Sequence, residues 1–303
     1  MAGVNTTGNY PKALWPGVRA FWGKTYESYP QQWPDLFEVR TSSQAYEEDV
    51  EGTGYGLAPV KPEAGAVYYD SDQQGSTKRH THVAYALGFQ VSYEEIQDNL
   101  YEKVANSRAE ALAFAMRTTE ETVCANVYNR AFDSNYVGGD GKELLATDHP
   151  TLDGTQQNEL TVAADLSETA VEDLLTLIHQ AKNTRGLRIM VTPQTLIVPP
   201  GLWWEANRIL KSALQNDTAN NATNVLKITN ALPGGIKVNN FLTDPDAWFI
   251  RTNAPNGMIR FNREMGALQE DRDFDTMNVK YMQYMRFSVS WTDFRGLYGS
   301  PSA

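Results

Sequence analysis

The chain has 303 residues, 41% of them hydrophobic and 21% charged, enough apolar material for one large domain or two to three small ones and too much for a disordered chain. Its 37 Asp and Glu outweigh 26 Lys and Arg, for a net charge of −11. That balance excludes binding of nucleic acid by general phosphate neutralisation, and it makes copies of the chain repel one another unless they bury area together.

Residues 1–50 read as extended or turn-rich chain with short helical pieces, because Pro11, Pro16, Pro30 and Pro34 interrupt them. Trp15, Trp22, Tyr26, Tyr29, Trp33 and Phe37 are spread among those prolines. An irregular segment this aromatic must bury its rings, either against its own domain or against a neighbouring subunit. Its start, Met1 to Tyr10, has neither the basic nor the apolar region of a signal peptide, and no apolar run in the chain approaches the ~20 residues that span a bilayer. The expectation is a protein made in a cytoplasm-like compartment, with no membrane partner.

Residues 51–91 predict two strand-like runs around a polar tip. The first run ends in Gly65–Asp70, including Tyr68 and Tyr69; the tip is Ser71–Arg79; the return run, His80 to Val91, alternates through Val83, Tyr85, Leu87 and Phe89. Such a hairpin has few partners nearby in sequence and is marginal alone in water. Ser92 and Glu95 then form a capping box, followed by helical spacing through Ile96, Leu100, Val104, Leu112, Met116, Thr119, Val123 and Val127 to about Phe132. That predicts a helix of roughly 40 residues and roughly 60 Å, closed by Gly138 and Gly139. The alternative is a core helix broken once near Ala105–Arg108.

A loop over 140–166 contains Ala146-Thr-Asp-His-Pro-Thr151. Ser167 caps a second helix through Val171, Leu174, Leu175 and Ile178, with Gly186 as its stop. Leu187–Thr192 reads as a strand, and Pro199-Pro-Gly201 opens a third helix. Asn216–Asn224 is a polar loop, and strands are expected around Val225–Ile228, Ile236–Asn239 and Ala247–Arg251. Gly257–Phe261 and much of Phe274–Arg295 alternate again, before a turn and tail at Arg295–Gly299. No internal repeat is evident.

Motifs of catalysis are sparse. The sequence has no phosphate-binding glycine loop, no G-x-S-x-G and no H-E-x-x-H. Cys124, the single cysteine, cannot form an intramolecular disulfide or a multi-cysteine zinc site, and reads as a small buried hydrophobe. His80 and His82 lie on one face of a strand without an evident third metal ligand, and read as hydrogen-bonding surface histidines. Asp148-His149 lacks a nucleophile and reads as structural. Glu270–Asp275 is a carboxylate-rich turn, with Arg272 as counter-charge, and Lys78-Arg79 is a small basic patch at the hairpin tip. No catalytic, cofactor-binding or metal-ligating residue is nominated, and no cofactor is expected.

The order of elements is the strongest signal: aromatic arm, projecting hairpin, long capped helix, compact α/β middle, return strands. It resembles the Hong Kong 97-like fold of tailed-phage major capsid proteins, an α+β fold, over essentially the whole chain. The Ala146-Thr-Asp-His-Pro150 loop and the closing Tyr281–Tyr298 pattern are similar to those of Mu-like head subunits. The resemblance implies an N-terminal arm (1–50), an extended loop (51–91), a peripheral domain with the long helix (92–150), an axial domain (151–254) and return strands of the peripheral domain (255–303). Asn216–Asn224 becomes a candidate axial loop. It also implies a non-enzymatic protein that assembles with itself, as hexamers and pentamers, into an icosahedral virion shell in the host cytoplasm. Double-stranded DNA would be packaged without sequence-specific binding. A portal, a separate scaffolding protein and a decoration protein are the further partners. Trp15, Trp22, Trp33, Tyr68, Tyr69, Lys78 and Arg79 are the candidate intersubunit contacts. Some relatives cross-link a loop lysine to a neighbour; Lys61 and Lys78 lie in that element, and no such chemistry is expected here. Two rivals remain: an encapsulin-type nanocompartment shell, and a soluble carbohydrate-active enzyme or binding protein acting through Glu270, Asp271 or Asp273.

Overall fold

The computed structural model describes residues 22–97, 101–214 and 223–301. Trp15 and most of the Asn216–Asn224 loop lie outside the described residues. The described residues begin with a short helix, α1 (residues 22–28), and a 3-10 turn at Trp33–Asp35. Strands β1 (Glu38–Thr41) and β2 (Tyr46–Gly52) follow, then a strandless excursion over 53–73, then β3 (Gln74–Thr81) and β4 (Val83–Val91). After helices α2 (Tyr93–Gln97) and α3 (Tyr101–Asn129) come the small hairpin β5 (His149–Thr151) and β6 (Gly154–Gln156), and α4 (Glu168–His179). The remainder runs β7 (Pro193–Val198), α5 (Trp203–Lys211), α6 (Val225–Ile228), β8 (Gly235–Val238), β9 (Trp248–Thr252), β10 (Met258–Met265), β11 (Gln269–Arg272), β12 (Val279–Trp291) and β13 (Leu297–Ser300).

Two sheets organise these elements. In the first, β4 lies along one side of β12 from Val279 to Phe287. The other side of β12 is shared, β11 pairing with its first residues and β10 with its last, and β1 joins β10 in parallel. The second sheet has the order β13-β9-β7-β8, with only β7 and β8 parallel. The last strand therefore leaves the return strands and completes the sheet of the middle unit, across the boundary expected at 254/255. Gly257 and Gly296 make this return possible, because a Cβ on Gly257 would lie 2.7 Å from the backbone of Gly296.

The second sheet has a core on each face, and side-chain alternation explains how. Ile197, Phe249 and Leu297 point to the core shared with α3 and the first sheet. Their strand neighbours Leu196, Val198, Trp248, Ile250 and Tyr298 point to the core under α4 and α5. Continuous apolar runs such as Trp248-Phe-Ile250 are the sequence mark of a strand buried on both faces.

Several expectations hold. The capping box at Ser92 forms reciprocally, with Glu95 N–H donating to Ser92 Oγ and Ser92 N–H donating to Glu95 Oε2, both at 3.2 Å. Ser167 caps α4 through Ala170 N–H at 3.2 Å. The α3 helix has 29 residues, about 43 Å at 1.5 Å each, and buries Leu112, Met116, Cys124 and Tyr128. The expected single helix of about 40 residues to Phe132 is not met: two helices, α2 and α3, stand in its place, α3 stops at Asn129, and α3 runs unbroken through Ala105–Arg108.

Others are corrected. The hairpin is built from β2 and β3, so its tip is the 53–73 excursion, and the expected tip Ser71–Arg79 is mostly strand. Polar β3 residues find a polar partner strand, Tyr46–Gly52, which hydrophobic alternation does not reveal. Leu187–Thr192 makes one isolated bridge, Lys182 to Arg188, because the strand that meets β8 and β9 begins at Pro193. Val225–Ile228 is helical despite its β-branched residues, since Asn224 Oδ1 caps it by accepting Lys227 N–H at 3.1 Å. Helix α4 ends at His179; Gly186, at φ +82°, shapes a later turn instead.

Candidate assembly interface

Residues 22–37 are held against α3 and the first sheet by buried charges. Arg260 and Glu120 are 0% and 1% exposed, and their side chains form an ion pair. Arg260 lies 3.6 Å from the Trp33 ring centroid and 4.5 Å from that of Phe287, and its Nε donates to Asn262 Oδ1 at 2.8 Å. Glu120 Oε2 accepts from Arg117 at 2.6 Å and from Tyr26 Oη at 3.2 Å. Arg117 in turn covers the Tyr26 ring at 3.8 Å. Glu121 accepts the backbone N–H groups of Gln32 (2.9 Å) and Trp33 (3.0 Å). Burial pushes the Glu121 carboxyl above its ordinary range, against the pull of those two N–H donors. Sequence reading missed this lock. Its signal was present: Glu120 falls midway between Met116 and Cys124 on the stripe of spacing four.

Two of the candidate contacts, Trp22 and Trp33, are buried within the chain itself. Trp22 stacks on Tyr26 at 4.9 Å, and Trp33 is pinned by Arg260, so both rings bury in their own chain. Both are inside because α1 and the Trp33–Asp35 turn lie against α3 and the first sheet. Lys78 and Arg79 lie within β3 and not at a tip. Lys78 points inward, donating to Val137 O at 2.7 Å over the Trp291 ring, and burial lowers its pKa. Arg79 is exposed, pairs with Glu48 at 2.6 Å and covers the Tyr46 ring.

His80 and His82 share a face as expected, but the face is buried, 2% and 5% exposed, and not at the surface. His80 contacts Ser290 Oγ and Thr292 Oγ1, and His82 contacts Ser288 Oγ (3.1 Å) and Ser42 Oγ (3.0 Å). They stitch the junction of β3 and β4 to β12. Burial lowers the pKa of both, which favours neutral rings.

Asp148 and His149 do not form a dyad. Asp148 pairs with Lys142 at 2.5 Å. His149 is fully buried, stacked on Phe294 at 3.9 Å, with Nδ1 2.6 Å from Asp140 Oδ2 and Nε2 3.0 Å from Asn158 Oδ1. Asn158 Nδ2 donates to the carbonyls of Leu144, Phe294 and Leu297, so this cluster ties the loop after α3 to the turn before β13. In the acidic stretch, Glu270 and Asp271 belong to β11, and Asp273 caps the following turn, accepting Lys280 Nζ at 2.7 Å and Asp275 N–H at 3.1 Å. Among the described residues, no group of three or more His, Cys, Asp or Glu is placed to hold a metal ion, and no helix is long and apolar enough to cross a membrane.

Among the described residues, the 53–73 excursion holds a cluster of exposed large apolar side chains. Leu57, Val60 and Tyr69 are 83%, 95% and 88% exposed, and Tyr55, Val67 and Tyr68 are also exposed. Six large apolar side chains are thus exposed within this one segment.

Residues 75–300 match the family model described as phage capsid protein. The chain belongs to the phage capsid protein family. Its fold is mixed α and β and matches solved structures of Hong Kong 97-like phage capsids. The capsid of an empty GTA particle aligns with a TM-score of 0.56 at 14% identity, covering 92% of this capsid protein and 96% of that chain. A virus-like particle from Pyrococcus furiosus aligns with a TM-score of 0.53 at 14% identity, covering 94% and 98%. The procapsid of bacteriophage JBD30 aligns with a TM-score of 0.51 at 12% identity, covering 98% and 76%. No curated protein matches the sequence.

Proposed function

We propose that copies of this capsid protein assemble, as hexamers and pentamers, into the closed icosahedral head of a tailed phage, enclosing double-stranded DNA without reading its sequence. The observation that carries the reading is the loop 57–69, whose large apolar side chains stand exposed on the single chain. On a neighbouring subunit Tyr68 and Tyr69 would bury large ring surfaces, and many such modest contacts add up over a closed shell. The charged surface limits misplaced association in the unassembled state. The role is structural and non-enzymatic. A portal, a separate scaffolding protein and a decoration protein are the partners the reading calls for, with assembly in the host cytoplasm.

An encapsulin-type compartment is the second reading, supported by the likeness to the Pyrococcus furiosus virus-like particle. The family match favours the phage head. Electron microscopy of the purified protein beside light scattering tests assembly: shells, tubes or rings are expected. V60S/Y69S should abolish them while the melting temperature stays unchanged. Unaltered particles from V60S/Y69S would refute the role of the loop. Particles that enclose a specific protein in the native source, and no DNA, would favour the second reading.

A further inference from the structure

The 53–73 excursion is tied at its neck. Asp72 Oδ1 accepts from Thr53 Oγ1 (3.0 Å) and Gly54 N–H (2.8 Å), and Asp70 Oδ2 accepts Gly56 N–H at 2.8 Å. A cation from the middle unit reaches the same neck. Arg185 Nη1 donates to Asp70 Oδ2 at 2.7 Å, and its Nη2 donates to the carbonyl of Ser71. Beside it, Thr184 Oγ1 donates to Glu51 Oε1 at 2.6 Å.

The turn that carries this fork is braced. Asn183 Oδ1 accepts the N–H groups of Arg185 (3.0 Å) and Leu187 (2.8 Å), and Gly186 adopts φ +82°, a conformation that L side chains rarely adopt. A planar guanidinium on a fixed turn engages a carboxylate and a carbonyl together, which a lysine ammonium does not reproduce.

We infer that Arg185 is the positioning residue of the assembly loop: it sets the direction in which residues 57–69 leave the body, so that the apolar tip meets the neighbouring copy in one orientation. The inference rests on the reading of that loop as an intersubunit contact. A loop free to swing spends only part of its time in the docking orientation, and its apparent affinity falls by that fraction. Asp70 and Asp72 hold the neck closed, and Arg185 fixes the neck to the body.

Chymotrypsin reports on the loop through Tyr68 and Tyr69, with cleavage sites mapped by mass spectrometry on the full chain. R185A is expected to raise cleavage there roughly tenfold, the effect of losing a charge-assisted tie on a local opening. It should slow assembly, seen by light scattering, and leave the melting temperature within a few degrees. R185K should be intermediate in both cleavage and assembly. D70N, which keeps the side chain's shape, carries the same expectation should R185A fail to fold. Unchanged cleavage at Tyr68 and Tyr69 overturns the inference, and so does raised cleavage with wild-type assembly. If the wild-type protein forms no particles under any condition, the assembly reading fails, while the cleavage comparison still decides whether Arg185 holds the neck.

Discussion

Replacing Glu120 by Gln should cost about 3–5 kcal/mol of folding stability, the range for removing one partner of a buried ion pair. Both carboxylate oxygens are in use: one pairs with Arg260, and the other accepts from Arg117 and Tyr26. An amide keeps one acceptor and turns the other oxygen into a donor that faces a guanidinium. Two buried cations would then be left with uncharged acceptors only and no counter-charge, with water excluded from all three groups. Against a typical total of about 5–15 kcal/mol, that is a large share. Urea titration of the unassembled protein, followed by tryptophan fluorescence, measures it, since Trp33 lies directly against Arg260. E110Q, on the exposed side of the same helix, should shift stability by no more than about 0.5 kcal/mol. A loss below about 1 kcal/mol for E120Q would falsify the buried-lock account, because it would mean that water already reaches these charges.

Glu121 gives a pH signature. Its folded-state pKa lies above the unperturbed 4.5, so the native state takes up a proton before the unfolded state does. Wild type should therefore gain stability relative to E121Q as pH falls from neutral towards 4.5, and lose that gain as pH rises again; a flat difference between the two refutes it. Cys124 is buried beside Arg260, and burial pushes its thiol up to about 12. A water-soluble maleimide should leave it unlabelled in the folded protein and label it fully in denaturant; rapid labelling of the folded chain would contradict its burial. G296A should destabilise by about 1–3 kcal/mol, because the new methyl meets the backbone of Gly257. A melting temperature equal to wild type would show that the two turns can separate without cost.

Local rules made much of the fold legible. The capping residues Ser92 and Ser167, the spacing of four along α3, and the buried run Trp248–Ile250 are written in neighbouring residues, because caps, helical faces and strand burial depend on spacing alone. The family resemblance came from the order of these elements. The hairpin was misplaced because β3 is polar and its identity as a strand depends on β2, which lies across a 21-residue excursion (53–73). Propensity also misled at Val225–Ile228, where one capping side chain outweighed β-branching.

The candidate contacts divide along the same line. Tyr68 and Tyr69 stand exposed while Trp22 and Trp33 are covered inside the chain, and the sequence alone does not separate the two pairs. Composition and spacing determine which residues favour burial and where the capped helices and the apolar strands form. Tertiary structure alone decided what buries them: Arg260 comes 227 positions after Trp33 to cover its ring, and Arg185 comes 115 positions after Asp70 to hold the neck of the loop. Side chains this far apart in the chain meet only because the two sheets have already brought their backbones together, and no local pattern records that meeting.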